Sequence, residues 1–184
     1  MPTIVHEFAW PDRVVVGTIG EPGSRTFYLQ VRNGAQLVSV ALEKEQSALL
    51  AEKIDEILDE LMAAEGNPFS IPELTPVELV DNDPLEPVDE QFRTGTMSLG
   101  WDPSTLQIVI EAFPFVDTDE EPGFDGAAEY EPEEMLLVRA PVGTARAFAK
   151  RTREIVGAGR PLCPLCGAPI DLEGHVCAVP DDIR

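Results

Sequence analysis

The first 42 residues contain short runs typical of β-strands, and residues 26–32 alternate between apolar and polar positions with a period of two. Four runs rich in β-branched and aromatic residues stand out, at residues 3–8, 13–19, 26–32 and 36–42. The dipeptide Asn33-Gly34 separates the last two runs and is typical of a type I′ turn, in which both residues adopt a positive φ. We therefore expect a hairpin from the first pair, a hairpin from the second pair, and together a four-stranded antiparallel meander.

The period changes to that of a helix between residues 43 and 62. The apolar residues there recur at helical spacing and are Leu50, Ile54, Ile57, Leu58 and Leu61. Such a stripe favours packing against the sheet, although a partner-binding or coiled-coil seam has the same pattern. Because the segment offers only about three heptads, we expect the stripe to belong to the core.

The second half of the chain predicts three further strands. Residues 64–91 hold five prolines with acidic residues between them, which indicates an extended connection lying along the surface of the domain. Strands at 94–101 and 106–113 then form a hairpin. An acidic loop at 117–134 leads to a last strand at 135–140.

A second helix is expected from Thr144, as its N-cap, to Gly157. Its apolar face consists of Ala145, Phe148, Ala149, Thr152, Ile155 and Val156. Arg146, Lys150 and Arg153 lie on the other side and should form an exposed basic ridge. The ridge either lies over the protein's own acidic loop, which the charge balance favours, or receives an anionic partner.

The cysteines and one of the two histidines lie near the C-terminus. Cys163 and Cys166 flank two residues and are followed by Gly167, a spacing typical of a zinc knuckle whose tight turn favours glycine. His175 and Cys177 form a second pair. Three sulfur ligands and one nitrogen ligand suit a tetrahedral zinc ion, and four protein ligands indicate a structural ion because they leave no position open for water.

Pro169 and Gly174 can reverse the chain and bring the two pairs of ligands together. A disulfide is one alternative, but three cysteines leave one over. A reactive Cys-x-x-Cys pair is another, although that motif usually opens a helix after a strand and this one lies in a tail rich in Pro and Gly. An iron–sulfur site also remains open.

These patterns predict an α+β fold: an antiparallel β-meander or sheet of about seven strands packed with two helices, followed by a small C-terminal zinc knuckle. We assign residues 1–157 to the α+β domain, including the connection at 64–91 and the acidic loop at 117–134. Residues 158–184 form the zinc-ribbon-like tail. At 184 residues the chain is long enough for one domain with a sizeable core.

The formal net charge is −21, and it is unevenly distributed. Residues 64–138 hold nineteen acidic residues and one basic residue, whereas residues 139–160 hold six basic residues and one acidic residue. A field this negative repels phosphate backbones, so a nucleic-acid partner is not expected. No apolar run reaches the roughly 20 residues that cross a bilayer, and no secretory leader is apparent, so we expect a cytoplasmic protein without a membrane segment.

Catalytic residues are not predicted. His6 is the one histidine outside the metal motif, and it lies in the first strand, where a structural role is more common. Residues 20–24 contain two glycines but lack the Lys and Ser/Thr of a phosphate-binding loop, so they are interpreted as a plain turn. The acidic loop at 117–134 has Pro122 where the calcium loop of an EF-hand needs glycine, which favours a solvated loop over a calcium site.

Three segments carry a family resemblance: residues 25–32 (RTFYLQVR), residues 42–46 (LEKEQ) and the tail at 160–177. Together they resemble an uncharacterised family of high-GC Gram-positive bacteria, domain of unknown function 3090, over nearly the whole chain. The resemblance implies a cytosolic protein with a C-terminal zinc-ribbon-like tail. It also implies that Cys163, Cys166, His175 and Cys177 are the motif positions of that tail.

The sequence therefore favours a non-enzymatic interaction or regulatory protein with a structural zinc tail and a protein partner. The alternative is an enzyme or small-ligand-binding protein with its site between the sheet and the acidic loops. A third hypothesis makes the basic helix, with Arg146, Lys150, Arg151 and Arg153, a surface for nucleic acid or phosphate. The overall charge of −21 weighs against this third hypothesis.

Overall fold

The structure is a computed structural model and describes residues 2–117, 131–159, 161–168, 170 and 174–177. The strands are β1 (Ile4–Phe8), β2 (Arg13–Ile19), β3 (Thr26–Asn33), β4 (Gln36–Leu42), β5 (Glu90–Asp102), β6 (Gln107–Pro114) and β7 (Glu134–Pro141). The helices are α1 (Lys44–Ala63) and α2 (Val142–Gly157), with one turn of 3₁₀ helix at Val77–Leu79. This confirms the predicted α+β class. Within the described part of the chain, no helix combines the length and the apolar character needed to cross a membrane.

The strands form one mixed sheet in the order β1-β7-β6-β5-β4-β3-β2. β2, β3 and β4 are antiparallel neighbours, and so are β5, β6 and β7. The pairs β4–β5 and β1–β7 are parallel instead. The meander predicted from the first four strands is therefore reduced to β2, β3 and β4, and β5, β6 and β7 form a second antiparallel triplet.

The predicted hairpin of the first two strands is wrong. β1 runs parallel to β7, with Phe8 opposite Val138, and β2 lies at the other edge of the sheet. Only residues 9–12 connect the two edges, and a link this short spans less than about 20 Å. The sheet is consequently curled until its edges approach, and β1 contacts β3 although four strands lie between them in the sheet order. An alternating pattern identifies a strand without identifying its partner.

The turn between β3 and β4 is where the sequence predicts it, but its type differs. Asn33 pairs with Gln36, so the turn residues are Gly34 and Ala35. Gly34 has a φ of 59°, whereas Asn33 and Ala35 are not among the residues with positive φ. One positive φ at the first turn position is the pattern of a type II′ turn, so the predicted type I′ turn is wrong.

The two helices cover the sheet and contact each other. The apolar stripe of α1 is part of the core, with Leu50, Ile54 and Leu58 all buried, which confirms core packing as the role of this stripe. α2 begins at Val142 with Pro141 as its N-cap, two residues before the predicted start at Thr144. Its predicted apolar face is confirmed, since each member is buried or packed against the core.

Arg146 is not part of an exposed ridge. Its side chain is 6% exposed, and it donates to Asp55 Oδ1 at 2.8 Å and to Asp59 Oδ1 at 2.7 Å, both on α1. A third hydrogen bond, of 3.0 Å, runs from its Nε to the carbonyl of Pro72. The prediction of an exposed Arg146 is wrong because two carboxylates on the neighbouring helix satisfy its charge inside the helix interface.

The other cations of α2 also have partners close by. Arg153 pairs with Asp55, and Lys150 pairs with Glu154 on the same helix. Arg151, which the nucleic-acid hypothesis placed on a basic surface, is only 4% exposed. Most of the acidic loop at 117–134 lies outside the described residues. Among the described residues, the carboxylates that pair with the cations of α2 lie on α1, on α2 itself and on the connection at residues 64–91.

We call residues 64–89, between α1 and β5, the proline-rich strap. It covers the face of β2 and β3 that carries Gly17 and Gln30, opposite the core face of Leu29. Gln30 Nε2 donates to the carbonyl of Glu86 at 3.0 Å, and the amide of Glu86 donates back to Gln30 Oε1 at 2.9 Å. Leu85 lies where a Cβ on Gly17 would stand, only 2.4 Å from its Cγ. The strap is thus fitted against the sheet.

Asp81 ties the strap to both the sheet and α2. Arg13 Nε in β2 contacts its carboxylate at 2.6 Å, and Arg151 Nη1 contacts it at 3.3 Å. Arg151 also donates from Nε to the carbonyl of Val16 at 3.0 Å, on edge strand β2. The hydrogen bond from Arg13 lowers the pKa of Asp81, against an opposing effect of burial.

We expect Arg146→Ala to lower the free energy of unfolding by about 2–4 kcal/mol, because it removes the cation that two aspartates of α1 share. The control is Arg153→Ala, which also loses a contact to Asp55 but whose side chain is half exposed. It should cost less than about 1 kcal/mol. Urea unfolding measures both, and equal losses would show that burial of Arg146 contributes nothing.

We expect Asp81→Asn to lower the free energy of unfolding by about 1–3 kcal/mol at neutral pH, since it leaves Arg151 buried beside a neutral group. Asp83→Asn is the control, because only the backbone of Asp83 contacts Arg13. The pKa of Asp81 is lower in the folded state than its ordinary value of 3.8. Its contribution is therefore complete above that pH and is lost as the pH falls toward the folded pKa. The gap between wild type and Asp81→Asn should shrink in acid unfolding curves, and a constant gap would contradict the assignment.

Candidate metal centre

The first pair of candidate ligands lies on a tight turn. The amide of Gly167 donates to the carbonyl of Cys163 at 2.9 Å, and the amide of Cys163 donates to the carbonyl of Ala168 at 2.8 Å. Gly167 has a φ of 71°, a conformation that is costly for residues with a Cβ. The knuckle predicted from the spacing of Cys163, Cys166 and Gly167 is therefore formed.

The second pair lies close to this turn. The amide of Ile170 donates to the carbonyl of Pro161 at 2.8 Å, which brings the chain back past the start of the knuckle. Gly174, directly before His175, has a φ of 92° and reverses the chain as predicted. Pro169 and residues 171–173 lie outside the described residues.

The ligand atoms of Cys163, Cys166, His175 and Cys177 all lie within 4.8 Å of one another. Cys163 Sγ is 3.9 Å from Cys177 Sγ, and Cys166 Sγ is 3.3 Å from His175 Nε2. Two thiolates bound to one tetrahedral ion at about 2.3 Å are separated by about 3.8 Å, whereas a disulfide requires about 2.05 Å. The four residues could therefore bind a single metal ion.

The burial of the cluster is uneven. Cys163 is buried, and the other three residues are half-buried. Four protein ligands complete a tetrahedral shell and leave no position for a reacting water.

Exposed apolar side chains flank the candidate ligands along the chain. Leu162 is 65% exposed, Leu165 is 58% exposed and Val176 is 98% exposed. Each of them is adjacent in sequence to a candidate ligand. The hydrogen bonds of the knuckle and the ligand cluster hold the backbone of the tail, while these side chains remain in contact with water.

His6 has a structural partner in the sheet. Its Nε2 lies 2.9 Å from Glu134 Oε2, and Gln91 Nε2 donates to the same oxygen at 2.9 Å. These contacts join the starts of β5 and β7 to β1, which is consistent with the structural role predicted for His6.

A cavity of about 580 Å³ lies beside both ends of the acidic loop, where the sequence placed an alternative ligand site. Its described lining is Gly95, Thr96, Phe113, Pro114, Phe115, Val116 and Pro132. None of these residues titrates. The described walls therefore offer an apolar pocket and no acid or base for catalysis.

A second cavity, of about 540 Å³, was not predicted from the sequence. It lies between the β2–β3 turn, β3, β4 and the start of α1, and its lining includes Arg25, Lys44, Arg93 and Gly159. The turn at residues 20–24 contributes Gly23 to its wall. The lining residues are scattered along the chain, so no local motif could have identified this cavity.

A family model described as "Protein of unknown function (DUF3090)" matches residues 6–177. The match extends from β1 to the last candidate metal ligand, which includes the sheet, both helices and the tail. No curated protein and no solved structure matches the chain significantly.

We expect the purified chain to carry one metal ion, and we expect Cys177→Ser to lose it because three ligands no longer close the shell. Val176→Ala is the matched control: it alters the neighbouring residue, which is almost fully exposed, and should retain the metal. Elemental analysis measures the metal content of the wild type, of Cys177→Ser and of Val176→Ala. A full metal content in Cys177→Ser would remove Cys177 from the ligand set.

Proposed function

The chain belongs to the DUF3090 family of proteins of unknown function, and we propose that it is an interaction or regulatory protein without catalytic activity. In this proposal a structural zinc ion holds the tail in shape, and the tail docks onto a protein partner. The exposed apolar side chains around a closed ligand cluster carry the proposal.

Zinc is the ion that suits this ligand set best. Thiolates and imidazole together favour a borderline-soft ion in tetrahedral geometry. The 3.9 Å between Cys163 Sγ and Cys177 Sγ is close to the edge of such a tetrahedron. Thiolate ligands also persist best in a reducing compartment, which supports a cytoplasmic location.

The tail has the character of a docking surface. Leu162, Leu165 and Val176 are exposed within a short segment, and its backbone is fixed by the turn and by the ligands. Apolar side chains that are held rigidly in water gain free energy when a partner covers them, without a large cost in chain ordering. A structural ion at the base of the segment would provide that rigidity.

The charge of the molecule indicates what kind of partner is suitable. The chain carries 34 acidic residues against 13 lysines and arginines, so most carboxylates have no cation to pair with. A partner with an apolar groove bordered by Lys and Arg would complement both features, and its association would be faster at low salt. A nucleic acid would be repelled by the same field.

We expect a protein partner to co-purify with the zinc-loaded chain from its native cells, more at low salt than at high salt. Leu165→Ala with Val176→Ala should reduce the recovered partner about tenfold, because anchor side chains dominate such contacts. The matched control is Leu74→Ala with Val77→Ala, which removes two apolar side chains of similar exposure from the strap. Quantitative mass spectrometry compares the recoveries, and elemental analysis should show zinc and not iron.

Two results would contradict the proposal. If no protein is retained at either salt concentration, the chain has no partner under native conditions. If the strap variant loses the partner as completely as the tail variant does, the tail is not the docking surface.

A further inference from the structure

The cavity of about 540 Å³ lies where α2 joins the tail. Its walls come from the β2–β3 turn, from β3 and β4, from the first turn of α1, and from Gly159. A space of this size accommodates a small metabolite. Because Gly159 lies two residues after the end of α2, a ligand in this cavity would touch the segment that joins this helix to the tail.

Most cations of this acidic molecule are paired with carboxylates. Of the eleven lysines and arginines in the described residues, nine have a carboxylate within 4.0 Å. The two exceptions are Arg25 and Lys44, and both line this cavity. In the described part of a chain with a surplus of acidic residues, the two cations without a carboxylate partner thus share one site.

The geometry brings these two charges to one point. Lys44 Nζ lies 3.6 Å, and Arg25 Nη2 lies 4.0 Å, from the position that a Cβ on Gly159 would occupy. Gly159 has no positive φ that would demand glycine. Its missing side chain leaves open the space between the two cations.

Arg25 is held in position by the structure. Its Nη2 donates to the carbonyl of Ile155 at 2.8 Å, and its Nη1 donates to the carbonyl of Ala158 at 3.4 Å. Its guanidinium lies over the ring of Phe27, 4.9 Å from the centroid. A guanidinium has five N–H groups, so donors remain available for a ligand after these two bonds.

The acidic residues of the cavity wall are largely engaged. Glu43 pairs with Arg93, and it forms a capping box with Gln46 at the start of α1. Glu90 accepts a hydrogen bond from Tyr28 Oη at 3.3 Å. Glu45 is exposed to solvent. The attraction for an anion in this cavity therefore comes chiefly from the two cations.

We propose that this cavity binds a small ligand carrying a phosphate group, with the phosphate between Lys44 and Arg25. A phosphate monoester carries close to two negative charges at neutral pH and therefore matches two cations better than one carboxylate does. The surrounding field repels anions, so binding here depends on the local pair of cations and not on the overall charge of the molecule. This site is separate from the exposed apolar residues of the tail. A negative result for phosphate binding would therefore not contradict the proposed protein partner, and the converse is also true.

The test is an NMR titration of the zinc-loaded full chain with glycerol 3-phosphate at constant ionic strength. We expect saturable shifts of the amides of Thr26, Lys44 and Gly159. Lys44→Ala should weaken binding about tenfold or more, the effect of one charge-assisted hydrogen bond. Lys53→Ala is the matched control, since it removes the same charge from an exposed site outside this cavity and should change affinity by less than about twofold.

A steric variant tests the site without changing the charge. Gly159→Leu places a side chain between Lys44 and Arg25 and should abolish the shifts, while the amide spectrum of the sheet stays that of the wild type. The proposal is overturned if glycerol 3-phosphate produces no saturable shift, or if Lys44→Ala and Lys53→Ala weaken binding equally. Tighter binding of succinate than of glycerol 3-phosphate would overturn the assignment to phosphate ligands.

Discussion

Contacts between largely buried arginines and carboxylates hold the parts of this protein together. Arg146 joins α2 to α1 and to the strap, and Arg151 joins α2 to β2 and to the strap through Asp81. Arg13 approaches Asp81 from the sheet. Charged hydrogen bonds in water-poor surroundings are stronger than those on the surface, and an unpaired charge there is costly. The helices and the strap can take few other positions without leaving an arginine unsatisfied.

This arrangement explains how so acidic a chain forms a compact domain. Self-repulsion of carboxylates opposes compaction, and cations placed at the contacts between elements offset it where the elements meet. Among the described residues, none of the carboxylates without a cation partner is buried, so water can solvate them. Of the five described cations in the basic stretch around α2, Arg146 and Arg151 are buried and the other three pair with carboxylates, so its described part offers little unpaired basic surface.

The tail buries far less side-chain surface than the α+β part of the chain does. Among its described residues only Cys163 is buried, and apolar residues such as Leu165 and Val176 are exposed to water. A segment with so little buried surface depends on its turn hydrogen bonds and on its ligand cluster. Gly159, two residues after α2, lines the cavity that holds Arg25 and Lys44. A docking surface and a ligand site would therefore lie on either side of one short joint.

The sequence by itself determined the secondary structure and the candidate ligands, because these depend on local periodicity and spacing. The strands, the core-facing stripe of α1 and the knuckle at Cys163 and Gly167 are all visible within windows of a few residues. The turn at Gly34 was located for the same reason, although its type depends on which two residues the paired strands leave between them.

Only the tertiary structure decided which elements meet. β1 pairs with β7, 126 residues or more away along the chain, because the curled sheet brings its first strand to that edge, and an alternating pattern contains no information about such a partner. Helical periodicity separates apolar from charged positions, and on that basis Arg146 was predicted to be exposed. The periodicity of α2 does not show that Asp55 and Asp59 of α1 lie beside Arg146. The cavity of Arg25, Lys44 and Gly159 exists for a similar reason. Long-range packing brings together residues that no local pattern connects.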